Sequence, residues 1–212
     1  MKYERIRKIF DLKKYDYSPE WTSIEFNSEI TPRDYFNFAV KDLEAPDVKY
    51  AAINAFTNGK RSLHCQIDVI VDALGYQAHK NRNTFPAKLD YCAKCGIVTP
   101  RILRKMNMIR NQVEHDYHVP TLDEANDFID IVELFLAATD RLLYRFPDNI
   151  IFPGVDENFG DKYKDVFNVK LVKGKGEVVI CYDIDDEMVK KKVVAPSQEF
   201  FMWVKFINAC TN

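Results

Sequence analysis

The chain has 212 residues, 29% of them charged and 47% hydrophobic, and a formal net charge of −2. That length allows one good core, or a helical domain of roughly 120 residues with a smaller appendage. The near-neutral balance gives no bulk attraction for nucleic acid, so any such affinity must come from a local patch, and no run of roughly 18 uncharged apolar residues offers a membrane span.

Residues 1–30 mix Lys, Arg, Tyr and Trp21 without a clean period and are set apart as an N-terminal arm of undefined structure. Lys2, Glu4 and Arg5 stand where a secretory signal needs an apolar core, so export is not expected. From 31 to 147 the signals are helical. Thr31-Pro32 and Thr99-Pro100 each place a capping hydroxyl before a proline suited to the first helical position. Between them, Val48, Ala51, Ala52, Ala55 and Phe56, then Leu63, Ile67, Ile70, Val71 and Leu74, recur at helical spacing. Asn58-Gly59 offers a break, which leaves either one long helix or two stacked ones. A short helix over 86–95 should close at Gly96, a left-handed cap. Thr121 and Glu124 form a capping box ahead of an apolar stretch that reaches Leu143.

After Pro147 the pattern changes to Val, Ile and Phe alternating with polar residues. Val166–Val172 and Glu177–Ile184 flank Lys173-Gly174-Lys175-Gly176 as the arms of a hairpin, since that run lacks the Lys-Ser/Thr ending of a phosphate-binding loop. A third strand near Val193-Val194 and a helix over 197–208 complete a small α+β unit. The acidic run 183–187 and Lys190-Lys191-Lys192 read as a charged loop able to recognise a partner protein. Phe200, Phe201, Trp203, Val204 and Phe206 must pack onto the hairpin or seal a subunit interface. The expected fold is therefore mainly α: an arm over 1–30, a helical bundle over 31–147, and a small C-terminal α+β extension, a β-hairpin plus helix, over 148–212.

The helix starting at Pro100 carries its core stripe as Ile102, Met106, Ile109 and Val113. At about 100° per residue, His115 falls nearly opposite that stripe, and Arg110 and His115 are about 140° apart. Arg104, Asn111 and His118 share the outward face, while Glu114 and Tyr117 lie on the flank with Arg110. One helix does not easily bring Arg110 and His115 to a single phosphate, so a second subunit would help.

Arg110-x4-His115-x-Tyr117, with Asn111 directly after the arginine, resembles the Arg-x4–6-His signature of the HEPN superfamily, and the resemblance covers about residues 31–147. It implies a homodimer whose motif helices build a composite, metal-independent endoribonuclease cleft, with no cofactor. Arg110 and His115 would be catalytic, Asn111, Glu114 and Tyr117 auxiliary, and Tyr117 would match the tyrosine to which a nucleotidyltransferase antitoxin attaches AMP. The residue types suit that chemistry. A guanidinium forks onto phosphate oxygens and stabilises developing charge. An imidazole near its ordinary pKa moves protons at neutral pH. Attack by the 2′-hydroxyl, as the family implies, would leave a 2′,3′-cyclic phosphate and spare DNA.

Arg104, Lys105 and His118 are candidate RNA contacts, with Lys80, Arg82, Lys88 and Arg101 as further phosphate partners. His64 and His79 carry no partner pattern. Two further readings stand beside the toxin or antiphage ribonuclease. One is a non-catalytic HEPN module binding RNA, nucleotide or a nucleotidyltransferase. The other is a zinc-stabilised interaction protein using Cys92, Cys95, His115 and His118, although the spacing fits a zinc finger poorly. Five scattered cysteines fit free thiols in a reducing cytoplasm better than a disulfide framework.

Overall fold

The computed structural model of the chain describes residues 9–26, 28–77, 83–97, 101, 119–152, 166–184 and 187–211. After a 3-10 turn at Leu12–Lys14 the described elements are β1 (Ser18–Thr22), α1 (Pro32–Leu43), α2 (Val48–Ala73), α3 (Phe85–Lys94), α4 (Leu122–Tyr144), β2 (Phe146–Ile151), β3 (Val166–Val172), β4 (Glu177–Ile184), β5 (Glu187–Val194) and α5 (Gln198–Cys210).

The helix starts lie where local chemistry puts them. The Thr31 hydroxyl accepts from the Asp34 N–H while the Asp34 carboxylate accepts from the Thr31 N–H, and Thr121 and Glu124 make the same reciprocal pair. Asp47 caps α2 by accepting from the N–H groups of Lys49 and Tyr50. No break occurs at Asn58-Gly59. A Cβ on Gly59 would overlap Ile129 Cδ1 and stand 3.2 Å from the Phe128 ring, so the glycine is a contact point for α4. Phe56 and Phe128 stack beside it at 4.2 Å.

α1, α2 and α4 pack on one another. A polar tie crosses them. Arg33 donates through Nε and Nη2 to Asp140 Oδ2 at 2.7 and 2.6 Å. Gln66 Nε2, fully buried, donates to Thr139 Oγ1 and Asp140 Oδ1 at 3.0 Å each. Charge-assisted bonds of this kind fix which turn of each helix faces its neighbour.

The mainly α expectation is overturned by a five-stranded antiparallel sheet ordered β1-β2-β3-β4-β5, which makes this an α+β fold. The hairpin β3–β4 lies where the alternation put it, but it is the middle of the sheet and not an appendage. β1 comes from the supposed arm and β2 directly follows α4. Both strands hide their character behind prolines. Pro19 lacks the N–H a central strand needs and is tolerated because β1 is an edge. Pro147 pairs with Trp21 where the register slips between Glu20 and Trp21. A side-chain row crosses three strands: Asn149 Nδ2 donates to Glu20 Oε2 at 2.9 Å, and Asn168 Nδ2 to Asn149 Oδ1 at 2.7 Å. Lys190, Lys191 and Lys192, expected in a loop, lie on β5, the other edge, where lysines discourage pairing with another chain.

Ser197 caps α5, its hydroxyl accepting from the Phe200 N–H at 3.2 Å. α5 packs against β2, β3, β4 and β5, with Phe200, Trp203, Val204 and Phe206 fully buried. Burial of that size, roughly 2 kcal/mol or more per aromatic ring, places this face inside the chain and not at a subunit interface. One cluster of buried side chains runs from the helices through the sheet to α5. No described helix is long and apolar enough to cross a membrane.

Candidate functional site

The segment bearing the motif leaves α3 and enters α4, and both anchors are described. α3 ends in a Schellman turn: Gly96 has φ of 79°, its N–H donates to the Ala93 carbonyl, and the Ile97 N–H donates to that of Cys92. Asn208 Nδ2 of α5 donates to the Cys95 carbonyl at 3.0 Å, and the Tyr91 hydroxyl donates to the Leu74 carbonyl at 3.1 Å. The end of α3 is thus bolted to α5 and to the end of α2. On the far side, Pro120 is buried and the Thr121–Glu124 box opens α4.

Arg104, Lys105, Arg110, Asn111, Glu114, His115, Tyr117 and His118 lie outside the described residues. So do Thr99-Pro100, Lys80, Arg82 and His79. Arg101 is helical and exposed. Lys88 is not available as a phosphate contact, because its Nζ is bonded to Asp68 Oδ1 at 2.7 Å and its side chain is 12% exposed. His64 stacks on Phe85 at 4.2 Å, tying α2 to α3.

Cys92 and Cys95 are fully buried. Burial pushes the Cys92 thiol up to about 12 and holds that of Cys95 well above its ordinary value. Among the described residues no three His, Cys, Asp or Glu side chains converge on a point that could hold a metal ion.

A groove of about 520 Å³ opens between α2 and the connector from β1 to α1. Cys65, Asp68, Val69 and Asp72 line it from one face of α2, and Glu25 and Phe26 from the connector. Burial first, then the neighbouring Asp68, hold the Asp72 carboxyl above the usual carboxylate range, while Lys88 and a hydrogen bond from Gln77 act against the rise. Burial also raises the Cys65 thiol, with Asp68 adding to it, so Cys65 is not an activated nucleophile. Lys173 at the rim donates to the Ser23 carbonyl at 2.9 Å. The groove's acidic side chains, Glu25, Asp68 and Asp72, outnumber its one basic lining residue, Lys173, so it offers a phosphate backbone no attraction. Sequence reasoning passed over it, although Cys65, Asp68, Val69 and Asp72 at steps of three, one and three mark a second face on α2 beside its core stripe.

The chain matches no protein-family model, no curated protein and no solved structure.

Proposed function

We propose that this protein is a metal-independent endoribonuclease of HEPN type, a toxin or antiphage-defence effector that acts in the cytoplasm as a homodimer. The observation that carries the reading is the Arg110-Asn111-x2-Glu114-His115-x-Tyr117 run, placed on the segment between α3 and α4. Arg110 grips the scissile phosphate and His115 moves the proton of the 2′-hydroxyl or the leaving oxygen. The anchors at Gly96 and Thr121 support it by fixing both ends of that segment to the core.

The test is incubation of the purified chain with single-stranded and structured RNA in EDTA. Cleavage leaving 2′,3′-cyclic phosphate ends is expected, and His115→Ala should abolish it with the fold intact. Activity that survives the substitution sinks the assignment.

A second reading is favoured by the net charge of −2 and by the loss of Lys88 to Asp68. In it the motif belongs to a non-catalytic module that binds RNA, a nucleotide or a nucleotidyltransferase. Nucleotide binding at micromolar concentration without cleavage of any RNA would select this reading over the first.

A further inference from the structure

α4 buries one side against α2 and α1 and turns the other to solvent. Along the solvent side one stripe reads Asp123, Asp127, Asp130, Leu134, Ala137 with Ala138, Arg141 and the C-cap Arg145. Steps of three and four keep these within about 100° of arc. All are exposed, Leu134 by 64%. The signs are segregated: acid fills the first half, base the last turn, and the centre is apolar.

Among the described residues no opposite charge pairs with this stripe, and the three aspartates make no ion pair. Arg141 donates only to the Thr211 carbonyl at 3.3 Å, and Arg145 lies over the Trp21 ring at 5.7 Å. The helix dipole does not account for the pattern, because its reach ends with the first turn and Asp127 and Asp130 lie beyond it. Stabilisation within the helix would interleave the signs at i, i+4 and not separate them.

A stripe that is its own complement when reversed fits one partner, another copy of itself. We propose that α4 docks antiparallel against α4 of a second copy of this chain. Asp127 and Asp130 of each then face Arg145 and Arg141 of the other, with Leu134 and the two alanines meeting at the two-fold axis. A two-fold interface requires such self-complementarity, and parallel pairing would set acid against acid. The alanines let the helix axes approach to about 8–10 Å. With so little apolar area at the centre, charge decides both register and orientation, and the pairing is salt-sensitive. This inference rests on α4 alone and does not depend on the ribonuclease reading.

Sedimentation velocity on the full chain at micromolar concentration tests it. A dimer is expected in about 0.1 M salt and its dissociation in about 1 M. Asp127→Arg with Asp130→Arg touches no described ion pair and should keep the fold, while self-association weakens by roughly a hundredfold or more. Arg141→Glu with Arg145→Glu should do the same. An equimolar mixture of the two reversed chains should dimerise again, because one stripe is then basic and the other acidic. A wild-type monomer in low salt, a dimer indifferent to salt or to reversal of the aspartates, or a mixture of folded reversed chains that stays monomeric would each overturn the pairing. Should the arginine-reversed chain lose its fold, persistence or loss of the dimer in the aspartate-reversed chain decides alone. Cleavage activity plays no part in any of these readouts.

Discussion

Gly75, just past the end of α2, lies so close to Gly176 in the β3–β4 turn that a Cβ on it would overlap the Gly176 backbone nitrogen. Its φ is 81°, and the Gly174 N–H donates to the Ala73 carbonyl at 2.6 Å beside it. The helices and the sheet therefore meet backbone to backbone. Gly75→Ala should cost about 2 kcal/mol or more, combining left-handed strain with the overlap. Urea unfolding measures it, and a cost under about 0.5 kcal/mol would contradict the contact.

Gly59 offers a test of a different sign. Alanine is favoured over glycine in a helix by up to about 1 kcal/mol, but its Cβ would meet Ile129 Cδ1. Ile129→Val removes that atom. Gly59→Ala should therefore be better tolerated in the Ile129→Val background than in the wild type, with a coupling energy of about 1 kcal/mol in a double-mutant cycle. Simple additivity would mean that the two side chains do not compete for space.

Asp140 holds the tie between α1, α2 and α4. Its removal leaves the buried Gln66 amide one partner short and Arg33 without its carboxylate. Asp140→Ala should cost about 1–3 kcal/mol in urea melts. Arg33→Ala should cost less, under about 1 kcal/mol, since its side chain is 40% exposed.

Asp34 and Asp72 push the pH dependence of stability in opposite directions. Hydrogen bonds from Thr31, first its N–H and then its hydroxyl, hold the Asp34 carboxyl below the usual range. That stabilisation is present above the unfolded carboxylate pKa and is lost as pH falls through the lowered folded value. Asp72 is raised, chiefly by burial, so its ionisation opposes folding; the opposition is full above the raised folded pKa and is relieved as pH falls through it. Asp72→Asn should raise the denaturation midpoint at neutral pH and reduce the gain in stability on mild acidification. Asp34→Asn should lower the neutral midpoint and flatten the loss in acid. Denaturant titrations between about pH 4 and 7 separate the two, and an Asp72→Asn chain less stable at neutral pH contradicts the assignment.

If the ribonuclease cleft is composite, chains carrying Arg110→Ala and His115→Ala should each be inactive and recover partial activity when mixed. Recovery requires a site drawing arginine from one chain and histidine from the other. Two inactive variants that stay inactive together, while still forming mixed dimers, would place both residues in one chain's own site.

Features set by neighbours in sequence were legible in advance. Thr31 with Pro32 as a helix start, Thr121 with Glu124, Gly96 as a left-handed cap and the 173–176 turn all act within a few residues, and each lies where the pattern put it. What was missed depends on distant partners. Asn58-Gly59 leaves one long helix or two stacked ones open, and only Ile129 beside Gly59 shows why a glycine stands in one continuous helix. β1 lies in the stretch without a clean period and β2 straddles the boundary set at Pro147, and the pairing of the two becomes evident only when the sheet brings them together. Gln66 gives no hint of Thr139 and Asp140. The motif is legible as a pattern because residues 110–117 are contiguous, whereas the groove residues Glu25 and Asp68 come together only by folding.

The outermost strand also sets a schedule. Glu20 and Asn149 bond across 129 positions, so during synthesis β1 waits without a partner until α4 and β2 have emerged. Closing a loop of that size adds little to the entropic penalty but slows the search, so sheet completion should be a late event in folding. Removing residues 1–22 would then not trim a loose end. It would strip the proline-bearing rail from the sheet and leave the backbone of β2 open to another molecule's strand, which favours aggregation.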